Sequence, residues 1–408
     1  MAQELGFDPE LPELGRLFDL AAVGRLFEDG VLSKERPARV RSCKLQDTKY
    51  QPGRCCVTTY VLQTEGEGGA GQTIGVAELG PAGLALRLYD EDPRLPALAE
   101  AADVARMATR FAALLGSVVI SCAVVPVRYR PGARCVFRYE VQTHRGGRVV
   151  FGKLMGDGGA ELAATVGALH RASQERPGMP RVLPVLAYWP ELGMLAQDEV
   201  SGRAELNDLA FSPEVPAETR ERWLRDAGAR LAALHALTGI DAPARTAADD
   251  MDELREYVAP MRAADPALAA RYEGAVGRLA ELAGQRDEPP AVASHGAFRT
   301  DQFMIAGDEL VMIDLDGFCW ANPARDLGNF LAYLDWKAIR QPQRAELIRQ
   351  AAGLLLEGYR GAGGTVDEGW LELYRADSLL KIAGRRYRSL TVKEWGLVPQ
   401  LLDAAERR

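Results

Sequence analysis

A fifteen-residue stretch of this chain returns with eight identities, and that repeat limits its N-terminal half to a narrow set of folds. Residues 50–64 read YQPGRCCVTTYVLQT and residues 129–143 read YRPGARCVFRYEVQT, aligned without a gap at an offset of 79. Tyr50/Tyr129, Pro52/Pro131, Gly53/Gly132, Cys56/Cys135, Val57/Val136, Tyr60/Tyr139, Gln63/Gln142 and Thr64/Thr143 are identical. Each copy is a Pro-Gly turn followed by an alternating strand, the signature of a β-hairpin. The second copy runs on into a strand, Arg148–Met155, carrying Lys153. A Gly-rich turn and a helix with Glu161 near its start follow. The first copy runs on through Ile74–Glu78 and Leu84–Tyr89, neither with a lysine, to a helix expected at about Ala97–Leu115.

The second informative stretch is Ser294–Leu331. A His295-Gly296 turn is followed, seventeen residues past Ala297, by an apolar strand ending in Ile313-Asp314-Leu315-Asp316. Twelve residues after Asp314 stands Asp326, in Arg-Asp-Leu-Gly. This layout resembles the aminoglycoside phosphotransferase family, whose pattern reads roughly H-G-D-x-x-x-x-N, a hairpin, I-D-x-[DE], G-D-P and a helix opening with Asp. His295-Gly296, Ile313-Asp314, Asp316 and Asp326 fit, and Asn322-Pro323 stand where Asp-Pro is usual. Two positions depart: Ala297 replaces the catalytic Asp, and Gln302 replaces the metal-binding Asn.

The resemblance implies an α+β, bilobal protein-kinase-like fold. A small antiparallel-sheet lobe at 126–200 would precede a mainly helical lobe at 201–408, with the catalytic segment at 294–331. Residues 1–125 would be an N-terminal helix and a degenerate duplicate of the small lobe, serving for packing or for docking a protein partner or a substrate. It further implies ATP or GTP and Mg²⁺ as cofactors. Lys153 would meet the nucleotide phosphates and pair with Glu161, with charge added by Arg130 and Arg134 around the Pro-Gly turn. Backbone groups of about Gln197, Glu199 and Val200 would meet adenine. Asp314 would be the metal carboxylate, with Gln302 and Asp316 as further metal-binding candidates.

Phosphoryl transfer is mostly positioning and charge neutralisation, with one carboxylate accepting the proton of the attacking hydroxyl. Ala297 offers none. Asp301, four residues on, is either a substitute or a solvated turn residue. Asp316 lies two residues past Asp314, on the same side of an extended segment. His295 is read as a hydrogen-bonder supporting the loop, and His235, in LAALHAL, as a helix-face packing residue rather than a ligand. Asp335, Trp336, Arg385, Arg386 and Tyr387 are candidates to line an acceptor cleft, the Arg-Arg-Tyr run being otherwise a solvated helix face.

Composition narrows the classes that remain. Forty-nine basic against 57 acidic residues leave a net charge of −8, which gives no nucleic-acid footprint. Six cysteines without CxxC spacing point away from a zinc site and towards free thiols in a cytoplasmic protein. No run of 18 apolar residues suggests a membrane span. The leading expectation is a phosphotransferase acting on a small-molecule or peptide hydroxyl. The alternatives are a pseudokinase that binds nucleotide or a partner protein without turnover, and nucleotidyl rather than phosphoryl transfer.

Overall fold

Alternating burial builds the sheets. The computed structural model describes residues 5–33, 38–66, 69–200 and 203–408, the side chain of Arg203 apart. It divides into two compact units: residues 1–163 with 185–199 and 388–392, and residues 164–184 with 200–387 and 393–408.

The first unit holds two antiparallel sheets. One is β1 (Ala38–Gln51), β2 (Cys55–Gly66), β3 (Gly69–Gly80) and β4 (Gly83–Leu88) in that order. The other has the order β5 (Val119–Arg130), β6 (Arg134–Thr143), β7 (Gly146–Met155), β10 (Met194–Asp198) and β9 (Ala187–Trp189). The Pro-Gly turns are β-turns in which Arg54 N donates to Gln51 O and Ala133 N to Arg130 O, both at 3.0 Å. Gly53 and Gly132 take φ of +65° and +66°, which an L side chain resists.

The duplication is longer than the strand repeat. Asp8-Pro-Glu-Leu-Pro12 returns as Asp92-Pro-Arg-Leu-Pro96, at an offset of 84. Each aspartate pins the hairpin turn of its own copy. Tyr50 Oη donates to Asp8 Oδ2 at 2.7 Å and Gly53 N at 2.9 Å. In the second copy Tyr129 Oη and Gly132 N donate to Asp92 Oδ2 at 2.5 and 2.6 Å. The following helices, α1 (Leu20–Phe27) and α3 (Val104–Leu115), also start 84 residues apart, after the capping aspartates Asp19 and Asp103. Tyr60 Oη donates to Leu17 O and Tyr139 Oη to Ala101 O, each at 2.7 Å. Phe27 packs edge-on to Tyr60 as Phe111 does to Tyr139. The helix expected at Ala97–Leu115 is in fact two, α2 (Leu98–Ala102) and α3, because Asp103 leaves helical geometry to accept from Ala105 N and Arg106 N.

The second unit is mainly helical. After α4 (Gly159–Glu175), β8 (Arg181–Val182) and β11 (Arg203–Glu205) come α5 (Leu206–Ala210) and α6 (Ala217–His235). Three helices follow: α7 (Ala247–Arg255), α8 (Val258–Ala264) and α9 (Pro266–Gly284). The last break falls at Asp265, which caps Leu268 N ahead of Pro266. Then follow β12 (Val292–Ser294), the hairpin β13 (Phe303–Ala306) and β14 (Glu309–Met312), and β15 (Cys319–Ala321), which pairs with β12. Helices α10 (Ala324–Arg340), α11 (Ala345–Gly361), α12 (Glu368–Arg388) and α13 (Val398–Glu406) complete the chain. Helices α6 and α11 cross through glycines: a Cβ on Gly228 would lie 2.0 Å from Leu355 O, and one on Gly358 2.0 Å from Arg225 O. Among the described residues no helix is long and apolar enough to cross a membrane.

Two stability outcomes follow. Asp92→Ala strands the buried Tyr129 hydroxyl and the Gly132 N–H, and is expected to cost about 2–4 kcal/mol. Gly228→Ala overpacks the helix crossing at a cost of about 1–3 kcal/mol. Urea unfolding of each variant against the parent measures both.

Candidate functional site

The loop from His295 to Gln302 leaves β12 and enters β13, and the N-terminal half of α10 holds it along one face. Asp326, in the first turn of α10, is fully buried. Its Oδ2 accepts from His295 N at 2.7 Å and its Oδ1 from Gly296 N at 2.9 Å. One residue earlier, Arg325 Nη1 donates to Gly296 O at 2.7 Å. One turn on, Asn329 Nδ2 donates to Phe298 O at 2.8 Å. A further turn on, Tyr333 Oη meets Arg299 Nη1 at 2.6 Å, with the guanidinium stacked over the ring. The spacing 325, 326, 329 and 333 is that of one helix face. Gly296 has φ +83°, and a Cβ there would lie 1.9 Å from Gly317 O, so the turn tolerates only glycine.

His295 is buried and engaged at both ring nitrogens. Nε2 lies 3.0 Å from Ile313 O, and Ala297 N donates to Nδ1 at 3.4 Å. The second contact puts the ring proton on Nε2, so the ring ties the loop to the end of the β14 segment. His235 does more than pack. Its Nε2 lies 3.4 Å from Asp326 Oδ2 and its Nδ1 2.9 Å from Tyr359 Oη. Burial alone pushes the Asp326 pKa up. The His235 hydrogen bond and the nearby positive charge of Arg325 help to outweigh it, and the net shift is downward.

Asp314 is exposed, with φ +59° and ψ +51°, a left-handed conformation uncommon outside glycine. Leu315–Gly317 then form a 3₁₀ turn. The extended-strand argument that put Asp314 and Asp316 on one side therefore does not apply, because the backbone turns between them. Asp316 is half-buried. Asp301 is exposed and lies 3.0 Å from Arg299 Nε. Gln302 is buried, and its Nε2 points to Asp301 Oδ1 at 3.4 Å, which leaves the amide oxygen as its ligating atom. Among the described residues no group of three or more His, Cys, Asp or Glu is arranged to hold a metal ion. The donors Asp314, Asp316 and Gln302 are all hard oxygens, which fits magnesium, an ion held by one or two carboxylates plus phosphate oxygens.

In the first unit Lys153 is half-buried on β7, in register with Val136 of β6 and Leu195 of β10. Glu161 is exposed in the first turn of α4. In the first copy, Val57, the counterpart of Val136, faces Glu78. The register position of the lysine therefore carries a carboxylate there. Arg130 is exposed and Arg134 half-buried, facing each other across the turn. The Gly132 N–H of that turn already donates to Asp92, so phosphate affinity there would fall to the two arginines. Gln197 lies opposite Phe151, and Glu199 N donates to Val149 O at 3.0 Å. In the second unit Val200 is buried with Met304 and Val311. Ser201 and Gly202, which follow the residues expected to meet adenine, lie outside the described residues.

The acceptor candidates are committed to packing. Asp335 takes both prongs of Arg375 at 2.7 Å. Arg385 and Arg386 pair with Glu253 and Glu394. Trp336 is buried, and Tyr387 stacks on Trp395 at 4.6 Å. Sequence reasoning passed over Arg325, Asn329 and Tyr333. Their helical spacing from Asp326 was the available signal.

Asp326→Ala is expected to cost about 3–5 kcal/mol, the usual penalty for breaking a buried charged cluster. The lowered pKa fixes the pH dependence. The stabilisation from Asp326 is complete above the ordinary carboxylate range and is lost as pH falls through the folded-state value. Acid titration of unfolding is expected to show a shallower loss of stability below about pH 4 in Asp326→Asn than in the parent.

Among curated proteins none matches this chain in sequence. The model of the phosphotransferase enzyme family matches residues 186–364. Of the solved structures, an amicoumacin kinase with AMP-PNP and Ca²⁺ superposes at a TM-score of 0.50. It shares 14% identity, over 76% of this chain and 95% of that one. A glucosamine kinase gives 0.46 at 16%, over 94% and 97%. A macrolide 2'-phosphotransferase from Brachybacterium faecium gives 0.45 at 16%, over 72% and 96%. At these identities the likeness speaks to the kinase-like α+β fold, and the amicoumacin kinase carries it. The resemblance read from Ser294–Leu331 holds: residues 186–364, which include that segment, match the phosphotransferase enzyme family.

Proposed function

We propose that the chain binds ATP or GTP with Mg²⁺ and transfers a phosphoryl group to a small-molecule or peptide hydroxyl, from a site without the usual proton-accepting carboxylate. The observation that carries this reading is the loop 295–302, anchored residue by residue on α10. A structure that had shed the transfer function would gain nothing evident from that anchoring. Lys153, supported by Glu161, would bind and orient the phosphates. Asp314, with the Gln302 amide oxygen and Asp316, would hold the magnesium ion, which neutralises phosphate charge when bound. Nothing at Ala297 would take the acceptor proton. Asp301 is already compensated by Arg299 at 3.0 Å, which weakens it as a base. Asp316 is the better substitute, and a loose transition state also lets an acceptor react without one.

The same Arg299–Asp301 pair favours a second reading, a pseudokinase that binds nucleotide or a protein partner without turnover. In either reading residues 1–125 would be a duplicate of the small lobe unable to bind phosphate, since Glu78 takes the place of the lysine.

Thermal melts with millimolar ATP or GTP and Mg²⁺ are expected to show a rise in Tm, as for any ligand bound only by the native state. Lys153→Ala should abolish it and Asp314→Ala should remove its magnesium dependence. No rise with either nucleotide overturns both readings. Ala297→Asp is expected to raise Mg²⁺-dependent ATP consumption by about 10²–10⁴-fold. An unchanged rate with nucleotide binding retained would favour the pseudokinase.

A further inference from the structure

The side chain of Arg325 is 12% exposed and sits in a buried ionic cluster that the proposed chemistry does not use. Its Nε lies 3.1 Å from Asp250 Oδ2 and its Nη2 3.5 Å from Asp250 Oδ1. Asp250, on α7, has no exposed surface. Its Oδ1 also accepts from Arg245 Nε at 2.8 Å and Lys381 Nζ at 2.7 Å. Lys381 reaches Asp377 Oδ2 at 3.0 Å, one turn earlier on α12. Removing this many charges from water costs more than an apolar core of the same volume would, so stability alone does not account for it. Beyond the cluster, Arg325 reaches the backbone at Gly296 O, at 2.7 Å.

We propose that Asp250, itself fixed by Arg245 and Lys381, aims Arg325 at the Gly296 carbonyl, making Arg325 a positioning residue for the Gly296–Ala297 peptide. The peptide unit is planar, so holding its carbonyl also sets the direction of the Ala297 N–H and the starting point of the Ala297 Cα. Asp326 holds the N–H groups on the near side of this peptide, and Arg325 holds its C=O. The N–H of Ala297 is in turn directed at His295 Nδ1. All three anchors are independent of the side chain at 297. The loop therefore keeps its backbone course with alanine where its relatives' pattern has aspartate. The inference rests on reading residues 295–302 as the transfer loop.

Hydrogen exchange measured by mass spectrometry on the full chain tests the clamp without any substrate. In Arg325→Gln, exchange across 295–299 is expected to rise about tenfold or more, as for a local opening. Peptides from β2–β3 and from α6 and α11 should stay within about twofold of the parent. Arg325→Lys should recover part of the protection. If Arg325→Gln does not fold, the double variant Asp250→Asn/Lys381→Met removes one charge of each sign and leaves Arg325 unaimed. It should loosen the same peptides. Uniformly raised exchange, or unchanged exchange at 295–299, overturns the clamp. Parallel melts with Mg²⁺ and nucleotide separate the two claims. A parent without a Tm rise defeats the nucleotide reading and leaves the exchange result standing, whereas a parent with a rise and an unchanged loop defeats the clamp alone.

Discussion

The fully buried carboxylate of Asp326 is the interaction on which the loop 295–302 depends. An ionised group without solvent is tolerated only when its lone pairs are filled. Here two consecutive backbone N–H groups and His235 fill them, at the N-terminus of a helix that itself favours negative charge. The same bonds dictate the path of His295 and Gly296, and the next turns of α10 extend the template through Asn329 and Tyr333. The side chain at 297 takes no part. The loop thus keeps its backbone course with alanine at 297.

The first unit repeats one device twice. A buried aspartate from the preceding segment receives the tyrosine hydroxyl and the glycine N–H of a Pro-Gly hairpin, first at Asp8 and again at Asp92. This satisfies turn groups that burial would otherwise leave stranded, and it fixes where each helix meets its sheet. What differs between the copies is charge: β7 carries Lys153 where β3 carries Glu78. The scaffold of buried tyrosines and aspartates is therefore repeated, while the charge at one strand position is not.

Much of this was legible in order along the chain. The hairpin turns follow from Pro and Gly, whose backbone preferences are local, and the helical lobe from the resemblance carried by Ser294–Leu331. The Asp8/Asp92 match was missed although its five residues are plain to see. The strands repeat at 79 and the preceding segments at 84, and an alignment that seeks one offset finds only one of them. The expected side-by-side placement of Asp314 and Asp316 failed for a different reason. A left-handed residue followed by a 3₁₀ turn breaks the two-residue alternation on which the expectation stood.

The sequence by itself determined the element types, the paired hairpins, the order of Lys153, the His295-Gly296 turn and Asp314, and the absence of a carboxylate at 297. These depend on local backbone preference, spacing and residue chemistry. Only the tertiary structure decided which charges meet. It joined Asp250, Arg325 and Lys381 from three helices, gave Asp301 to Arg299, and set His235 against Asp326 across 91 residues. Buried charges must find partners wherever the fold places them, and that pairing is a property of packing rather than of sequence neighbourhood.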